Sequence, residues 1–536
     1  MKPSPPVLAG AIDRVFEALQ AACSQVAAPM APREVGTVLS VATGIAKVGG
    51  LAGVGFGEIV RFAAGESGIA FNIDETEIGV VLLGDHWLLE AGDPVERSGR
   101  VMDVPVGAHL LGRVIDPLGR ELDERGPVGG ADRLPIERPA TAILDRAPVT
   151  APLQTGIKVI DALIPIGRGQ RQLIIGDRQT GKTAIAIDTV LNQRGRGVVC
   201  IYCAIGQRAS GVAKTIAALR EHGAMEYTVV VVTEGSDAAG LTYIAPYAAT
   251  SIAEHFMEAG QDVLIVYDDL TQHARTYREI SLLLRRPPGR EAFPGDIFYL
   301  HARLLERATH RRAELGGGSL TALPIVETEA QDISAYIPTN LISITDGQIY
   351  LSPTLFEMGR LPAIDIAKSV SRVGGHAQHA ALRDAAGELK LAYAQFEELE
   401  TFARFGARLD EPSRRTIAHG QRIRACLEQA EYAPVPVPAQ VAILLGLDAG
   451  VFDAIALEDM PAAEHAVVEV ARTMAAPICE QTESDVPLEP AQRQTFIDRV
   501  RQAVLSFQPP PPLQPPPDGD RDSPRLPPPA APAQAP

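Results

Sequence analysis

Hydrophobic and polar residues follow three successive patterns along this chain, and each pattern predicts a different architecture. From Glu34 to about Val95, short runs of β-branched residues are interrupted by glycines, a pattern that predicts a small closed β-barrel. From 98 to 378, apolar strand-like runs alternate with helical patterns, which predicts an α/β domain with a mainly parallel sheet. From about His379 to Ser506 the periodicity is helical throughout, which predicts a helical domain.

The two ends of the chain differ from these three regions. Residues 1–30 contain one short amphipathic pattern, which predicts a helical arm that docks on a partner or packs on its own chain. Its apolar face consists of Ile12, Val15, Phe16, Leu19 and Ala22. The last residues are rich in proline and predict an extended, disordered tail. The predicted domains are therefore an arm at 1–30, a barrel at 31–97, an α/β domain at 98–378, a helical domain at 379–506 and a tail at 507–536.

The strongest chemical signal is the stretch RQLIIGDRQTGKTAIAIDTVLNQ, from Arg171 to Gln193. An apolar strand pattern precedes it and a helical pattern follows it, the context that a G-x-x-x-x-G-K-[ST] phosphate loop requires. The predicted phosphate-binding residues are Gly176, Asp177, Arg178, Gln179, Thr180, Gly181, Lys182 and Thr183. Lys182 is expected to contact the β- and γ-phosphates, and the Thr183 hydroxyl to bind Mg²⁺.

A second nucleotide signal follows in the same domain. The run QDVLIVYDDL is an apolar strand pattern that ends in Asp268 and Asp269. A carboxylate at the carboxyl end of such a strand can hold the Mg²⁺ shell opposite the phosphate-loop threonine. We favour Asp268 as this carboxylate, and Asp269 is the alternative.

Composition excludes several classes of function. The chain has 536 residues, 46% of them hydrophobic and 21% charged, as in ordinary globular proteins of about three domains. Its net charge of −17 argues against nucleic acid as the main partner. No long apolar run predicts a membrane span, and the N-terminus lacks a signal-peptide pattern. Cys200 and Cys203 form a CxxC, but within a strand pattern, so we interpret them as buried strand residues.

The order of barrel, phosphate-loop domain and helical domain resembles the alpha subunit of F-type ATP synthases. The resemblance covers about residues 30 to 500 and rests on long runs, among them PLQTGIKVIDALIPIGRGQRQLIIGDRQTGKT, LLLRRPPGREAFPGDIFYLHARLLERA, NLISITDGQIYLS and SVSRVGG. It implies ATP or ADP with Mg²⁺ as ligands. It also implies a ring of three alpha-like and three beta-like subunits around a gamma-like central stalk.

The resemblance also implies where the protein works. The N-terminal helix would contact a peripheral stalk, and the membrane would be reached only through the ion-conducting sector, with protons as the expected coupling ion. The chain would then be a peripheral membrane protein on the cytoplasmic face of a bacterial inner membrane. As an enzyme it would act as a subunit of ATP synthase, and the isolated chain would be nearly inactive.

Gln207 separates a nucleotide binder from a catalyst. The strand pattern VVCIYCAIG after the phosphate loop ends in Gln207, where related catalytic subunits have a glutamate. An amide cannot accept a proton, although it can orient a water molecule. Gln207 therefore matches the alpha pattern of a nucleotide that is bound but not turned over, and the alternative is a loop residue remote from the phosphates.

A further expected functional element is the segment that contains Arg372. The resemblance implies that Arg372 reaches a neighbouring beta subunit as an arginine finger, which stabilises charge on the γ-phosphate. Ser369 and Ser343 belong to segments that line the same interface in the family. Without the resemblance, an arginine in this context would be interpreted as an ordinary surface residue.

The adenine pocket departs from the family pattern. Arg171, Gln172 and Gln429 match, but Leu361 precedes Pro362 where an arginine is usual, and Glu431 replaces a second glutamine. These changes predict altered or weakened base recognition, whereas the phosphate half is intact. Lys368 also replaces an apolar residue just before SVSR. With the Pro-rich tail, these departures predict a divergent alpha subunit, of the kind that a second, alternative ATP synthase would carry.

Two other functions fit parts of the pattern. A self-sufficient homohexameric RecA-like motor ATPase would need a catalytic carboxylate at the position of Gln207, and a helicase of that kind would need a basic barrel. A phosphate-loop scaffold protein outside any enzyme complex would leave the Arg372 segment without a purpose. Co-purification with a beta-like partner distinguishes these alternatives.

Overall fold

A computed structural model describes residues 34–130, 132–404, 410–474 and 476–506. The predicted N-terminal helix and the Pro-rich tail lie outside the described residues. The fold class predicted for the remainder is confirmed: a barrel, an α/β domain with a mainly parallel sheet, and a helical domain follow one another along the chain. Within these described ranges, no helix is long and apolar enough to cross a membrane.

The first domain is a closed six-stranded barrel with strand order β1-β2-β5-β4-β3-β6. Its strands are β1 Val35–Ala42, β2 Ile45–Gly49, β3 Glu58–Phe62, β4 Ser67–Ile73, β5 Ile78–Leu82 and β6 Pro94–Val101. Side chains alternate between the interior and the surface, and Val38, Val60 and Val80 are buried inside. Closure of the barrel removes the free strand edges that would otherwise be open to pairing with another chain.

The central domain is built on an eight-stranded sheet with strand order β16-β15-β10-β14-β13-β11-β12-β8. The strands after the barrel are β7 Asp103–Pro105, β8 Val114–Ile115, β9 Arg133–Pro135, β10 Leu173–Gly176, β11 Val198–Gln207, β12 Thr228–Glu234, β13 Asp262–Asp268, β14 Ser319–Glu327, β15 Gly347–Leu351 and β16 Val370–Ser371. Strands β7 and β9 form a separate antiparallel pair. In the large sheet only the edge strand β16 is antiparallel to its neighbour.

Helices cover both faces of this sheet, which explains why its inner strands are almost continuously apolar. They are α1 Lys158–Leu163, α2 Lys182–Leu191, α3 Ala209–Glu221, α4 Ala239–Glu258, α5 Leu270–Leu283, α6 Ile297–Leu305, α7 Tyr336–Ile344 and α8 Pro353–Glu357. Cys200 and Cys203 are both buried in strand β11, as predicted. Burial raises the pKa of both thiols above the ordinary value, so they remain protonated.

The helical domain completes the described chain. Its helices are α9 Ala380–Arg404, α10 Glu411–Leu427, α11 Val437–Asp448, α12 Met460–Arg472, α13 Ala476–Thr482 and α14 Pro490–Ser506. Helix α11 is apolar on all sides because it occupies the centre of the bundle. Lys158, at the start of α1, joins this domain to the central domain: its ammonium donates to the Glu428 carbonyl at 2.8 Å and pairs with Glu464.

Candidate nucleotide-binding site

The phosphate loop connects β10 to α2 at the carboxyl edge of the sheet. Gly181, just before the helix, has a φ of 93°, a left-handed conformation that glycine adopts without strain. No side chain caps the start of this helix. Its first N–H groups are therefore available to an anion, and the helix dipole favours negative charge at this position.

Lys182 is the first residue of this helix and is buried within the loop. Its ammonium donates to the Asp177 carbonyl at 2.6 Å, and the Thr180 hydroxyl donates to the same oxygen at 2.8 Å. Burial lowers the pKa of Lys182, while the surrounding carboxylates oppose that shift. A phosphate group would supply the negative charge that favours the protonated ammonium in this position.

The loop is also fixed to the neighbouring strand ends. The Asp177 carboxylate accepts hydrogen bonds from the Thr328 hydroxyl at 2.5 Å and from the Gln331 N–H at 3.0 Å. Arg178 is exposed and donates to Glu327, at the end of β14, at 3.0 Å. Gln179 is exposed as well.

Thr183 and Asp268 approach each other from two different elements. The Thr183 hydroxyl donates to the Asp268 carboxylate at 2.9 Å, and the Tyr202 hydroxyl donates to the same oxygen at 2.6 Å. Burial raises the pKa of Asp268, and these two hydrogen bonds oppose the shift. Asp269 is also close enough to interact electrostatically with Lys182 and Asp268, but its carboxylate caps helix α5 by accepting from the Gln272 N–H at 2.7 Å.

This pair of oxygen donors fits Mg²⁺. The ion prefers hard oxygen ligands and is commonly held by one or two protein oxygens together with substrate phosphates and water. Within the described ranges, no group of three or more His, Cys, Asp or Glu side chains could hold a metal ion by itself. The phosphate oxygens of a nucleotide would therefore have to complete the shell.

Gln207 lies beside this cluster, at the end of β11. Its side-chain amide donates to the backbone carbonyl of Asp268 at 3.1 Å and lies 3.3 Å from the carboxylate. The alternative in which Gln207 is remote from the site does not fit this geometry. The residue faces the proposed metal position with an amide instead of a carboxylate.

A narrow cleft extends from the phosphate loop toward the helical domain. Thr180, Gly181 and Ile185 line one side, and Gln429 lies on the segment that closes the far end. The Gln429 side chain accepts from the Lys158 N–H at 3.0 Å and donates to the Gly156 carbonyl at 2.8 Å. Gln429 therefore holds the two domains together at the wall of the cleft.

The structure contradicts the predicted place of Arg171 and Gln172 in this pocket. Both residues precede β10, whereas the phosphate loop follows it. They therefore lie at the opposite end of this strand from the loop. Arg171 forms a two-pronged ion pair with Asp346 at 2.9 and 3.0 Å. Gln172 is fully buried and donates to the Val370 carbonyl at 3.1 Å. We therefore exclude both from the nucleotide site.

The three residues predicted at the subunit interface lie around strand β16. They are Arg372, Ser369 and Ser343. The exposed Arg372 guanidinium donates to the Thr345 carbonyl at 3.1 Å and to the Ile342 carbonyl at 3.3 Å, at the end of helix α7. Ser343 lies next to Ile342 on this helix and is exposed. Ser369 is buried, and its hydroxyl donates to the Asp365 carbonyl at 2.6 Å.

Three family models match consecutive parts of the chain. The beta-barrel domain of the ATP synthase alpha/beta family matches residues 33–99, its nucleotide-binding domain matches 156–371 and its C-terminal domain matches 378–503. The chain belongs to the ATP synthase alpha/beta family.

Similar proteins carry the same domain order over nearly their full length. ATP synthase subunit alpha 2 of Albidiferax ferrireducens is 70% identical over 499 residues, which cover 93% of each chain. ATP synthase subunit alpha 2 of Polaromonas naphthalenivorans is 68% identical over 504 residues, covering 94% of this chain and 97% of that protein. ATP synthase subunit alpha 1 of a Marinomonas species is 67% identical over 495 residues, covering 92% and 97%. These relatives are alpha subunits, components of an ATP synthase.

Three residues close to this site were not identified from the sequence of this chain. Glu327, at the end of β14, pairs with Arg178 and adds negative charge beside Lys182. The apolar run before it resembles the run before Asp268, so this signal was available. Tyr202 and Asp188 gave no such signal, because their contacts are with residues distant in the sequence.

Proposed function

We propose that this chain is the non-catalytic, regulatory nucleotide-binding subunit of a membrane-associated rotary ATP synthase. The complex would make ATP from ADP and phosphate by using an ion gradient, with protons as the coupling ion. In this assignment the chain holds ATP or ADP with Mg²⁺ and donates Arg372 to the catalytic site of a neighbouring beta subunit.

Gln207 is the observation that carries the proposal. Hydrolysis of ATP is accelerated by a group that polarises the attacking water, and the side chain at the carboxyl end of β11, beside Asp268, is an amide. An amide can orient water but cannot take its proton. The phosphate loop, Thr183 and Asp268 therefore support tight binding without efficient turnover.

The role proposed for Arg372 rests on its exposure and its partners. Its guanidinium is held by two backbone carbonyls, and no carboxylate within the described ranges pairs with it. An arginine with an uncompensated charge can stabilise the charge that develops on a γ-phosphate, an effect of roughly 10³–10⁵ in rate. Ser369 would position the strand, and Ser343 would lie at the same interface.

The proposed assembly follows from family membership. Three copies of this chain would alternate with three beta subunits around a gamma-like central stalk, with a peripheral stalk at the N-terminal helix. The membrane would be contacted only through the ion-conducting sector, on the cytoplasmic face of a bacterial inner membrane. Nucleic acid has no place in this assembly, in agreement with the net charge of −17.

The first test measures the isolated chain. We expect the purified protein to bind Mg-ATP and to hydrolyse almost none of it. Vigorous ATPase activity from the chain alone would contradict the proposal and would favour the alternative, a self-sufficient homohexameric RecA-like motor ATPase.

The second test uses the complex reconstituted with its beta subunit. We expect Arg372→Ala to lower steady-state turnover about 10³-fold or more, while the nucleotide affinity of this subunit stays within about twofold. Arg499→Ala is the matched control, because Arg499 is exposed on helix α14 and should leave turnover unchanged. Wild-type turnover in the Arg372 variant would refute the finger assignment.

A further inference from the structure

Four neighbouring strands of the central sheet end side by side at the nucleotide site. Their order in the sheet is β10, β14, β13 and β11. The phosphate loop follows β10, β13 ends in Asp268, and β11 ends in Gln207. Strand β14, which lies between β10 and β13, ends in Glu327. The sheet therefore places a further carboxylate between the phosphate loop and the proposed Mg²⁺ ligand.

Glu327 is fixed by the register of the sheet and by its own backbone. In the parallel pairing of β10 with β14 it lies opposite Gly176, the first residue of the phosphate loop. Its N–H donates to the Thr271 hydroxyl, on helix α5, at 2.8 Å. Its side chain is 17% exposed. The carboxylate is therefore held close to the phosphate loop and is mostly withdrawn from solvent.

Both cations of the phosphate loop interact with this carboxylate. The Arg178 Nε donates to Glu327 Oε2 at 3.0 Å, and this hydrogen bond is the largest cause of the raised pKa of Arg178. Burial lowers the pKa of Lys182, and of the carboxylates that oppose this shift Glu327 contributes most. Glu327 is therefore an anionic partner shared by the two side chains that would face phosphate with a positive charge.

A nucleotide would bring more negative charge into a site that already holds several carboxylates. Asp268 and Asp269 lie at the end of β13, and Glu327 adds to the burial that raises the pKa of each. Like charges that are poorly solvated repel each other strongly. The phosphates and the Glu327 carboxylate would therefore compete for the same two cations.

The two partners of the ion pair differ in their freedom to move. The Arg178 side chain is 63% exposed, so it can rotate toward a phosphate without opening a cavity in the core. Glu327 belongs to a strand in the interior of the sheet and cannot follow it. A phosphate on the loop can therefore take Arg178 from Glu327, and binding then costs this ion pair.

We propose that Glu327 competes with nucleotide phosphates for Arg178 and Lys182, and that it thereby limits the affinity of this site and favours nucleotides whose charge is reduced by Mg²⁺. The proposal rests on the nucleotide-binding function proposed above and deepens it. Because Glu327 acts through the two cations of the loop, it is a positioning residue in this role.

The test measures the binding of Mg-ATP, and of metal-free ATP in the presence of EDTA, by isothermal titration calorimetry on the full-length chain. Glu327→Gln keeps the shape of the side chain and removes its charge. We expect it to raise the affinity for Mg-ATP about fivefold, near the upper end of what an exposed ion pair contributes. For metal-free ATP the gain should be about tenfold or more, because the ligand then carries more negative charge.

A second background shows whether the effect passes through Arg178. In an Arg178→Gln chain, the additional substitution Glu327→Gln should raise the affinity for Mg-ATP by less than about twofold, because the main partner for which the two anions compete has been removed. A gain as large as in the chain that retains Arg178 would overturn the proposed competition.

Glu329→Gln is the matched control, because Glu329 lies two residues further along the same segment, has an 82% exposed side chain and pairs with Arg275. It should leave both affinities within about twofold of the wild type. An unchanged or lower affinity in Glu327→Gln would overturn the proposal, since a carboxylate that only orients Arg178 for phosphate would weaken binding when it is replaced. Binding of no nucleotide by any of these chains would instead overturn the proposed nucleotide-binding function, so the two failures are distinguishable.

Discussion

The two ends of the nucleotide cleft are constructed in different ways. At the phosphate end, hydrogen bonds join the segments that carry Asp177, Lys182 and Asp268. These residues lie at or just after the ends of parallel strands. At the base end, the contacts come from residues 429–431, a connection between helices that is fixed only through the domain junction. The predicted phosphate site is therefore tied to the sheet, whereas the far end of the cleft is lined by a connecting segment in which single substitutions can change the lining.

The largest expected effect tests how the base end is held. Lys158 is 3% exposed and pairs with Glu464. Burial raises the pKa of Glu464, and the Lys158 ammonium opposes this shift. Lys158→Met leaves that carboxylate buried and unpaired, so we expect the free energy of unfolding to fall by about 3–5 kcal/mol. Chemical denaturation followed by circular dichroism measures this change.

The double variant Lys158→Met/Glu464→Met provides the control for this experiment. Because it removes both charges together, it should recover most of the lost stability. If the single variant unfolds within about 1 kcal/mol of the wild type, the ion pair does not stabilise the domain junction.

The next effect tests the phosphate end. Lys182→Ala removes a buried ammonium that would face phosphate, and truncation of one partner of such a pair costs about 2–5 kcal/mol. We expect Mg-ATP to lose affinity by the corresponding factor, because the ammonium would face the phosphates. Calorimetry on the variant and on Lys214→Ala, an exposed lysine on helix α3, measures the difference. Equal Mg-ATP affinity in Lys182→Ala and in the wild type would contradict the phosphate role of Lys182.

The smallest effect concerns acid stability away from the cleft. His273 and His301 form a fully buried pair, with ring nitrogens 3.3 Å apart, and burial lowers the pKa of His273 to about 4. The unfolded chain binds a proton near pH 6.5 and the folded one does not, so stability should fall as pH decreases from 6.5 to 4. The contribution of His273 is about 3 kcal/mol at most.

His273→Gln should flatten this part of the stability profile, measured as the urea midpoint from pH 7 to pH 4. His109→Gln, at an exposed position, serves as the control. A profile in which His273→Gln falls as steeply as the wild type would refute this assignment.

Much of the fold followed from local patterns in the sequence. Short β-branched runs interrupted by glycines predicted the barrel, and apolar strand-like runs alternating with helical patterns predicted the central sheet. The phosphate loop could be predicted because its residues are contiguous. Asp268 could be predicted because a strand end is recognisable in the sequence.

Other parts of the site required the structure. Lys158 and Glu464 are 306 positions apart, and no periodicity connects two such residues. Tyr202 is one of several apolar residues in a buried strand, and only the fold shows that its hydroxyl contacts Asp268. Arg171 and Gln172 were assigned to the wrong edge of the sheet, although their position before β10 was sufficient to exclude them.

The edge strand β16 limits how Arg372 can move. Ser369 donates to the Asp365 carbonyl at 2.6 Å, and Ser371 donates to the Pro165 carbonyl at 2.7 Å, so two hydroxyls anchor the strand on either side of Val370. The Arg372 N–H donates to the Asp346 carbonyl at 2.8 Å and fixes the following residue as well. The Arg372 guanidinium is therefore expected to move together with the whole domain. If Arg372 acts as the proposed arginine finger, its approach to a neighbour's phosphate would be set by the rigid-body position of this subunit and would not depend on a loop that opens and closes by itself.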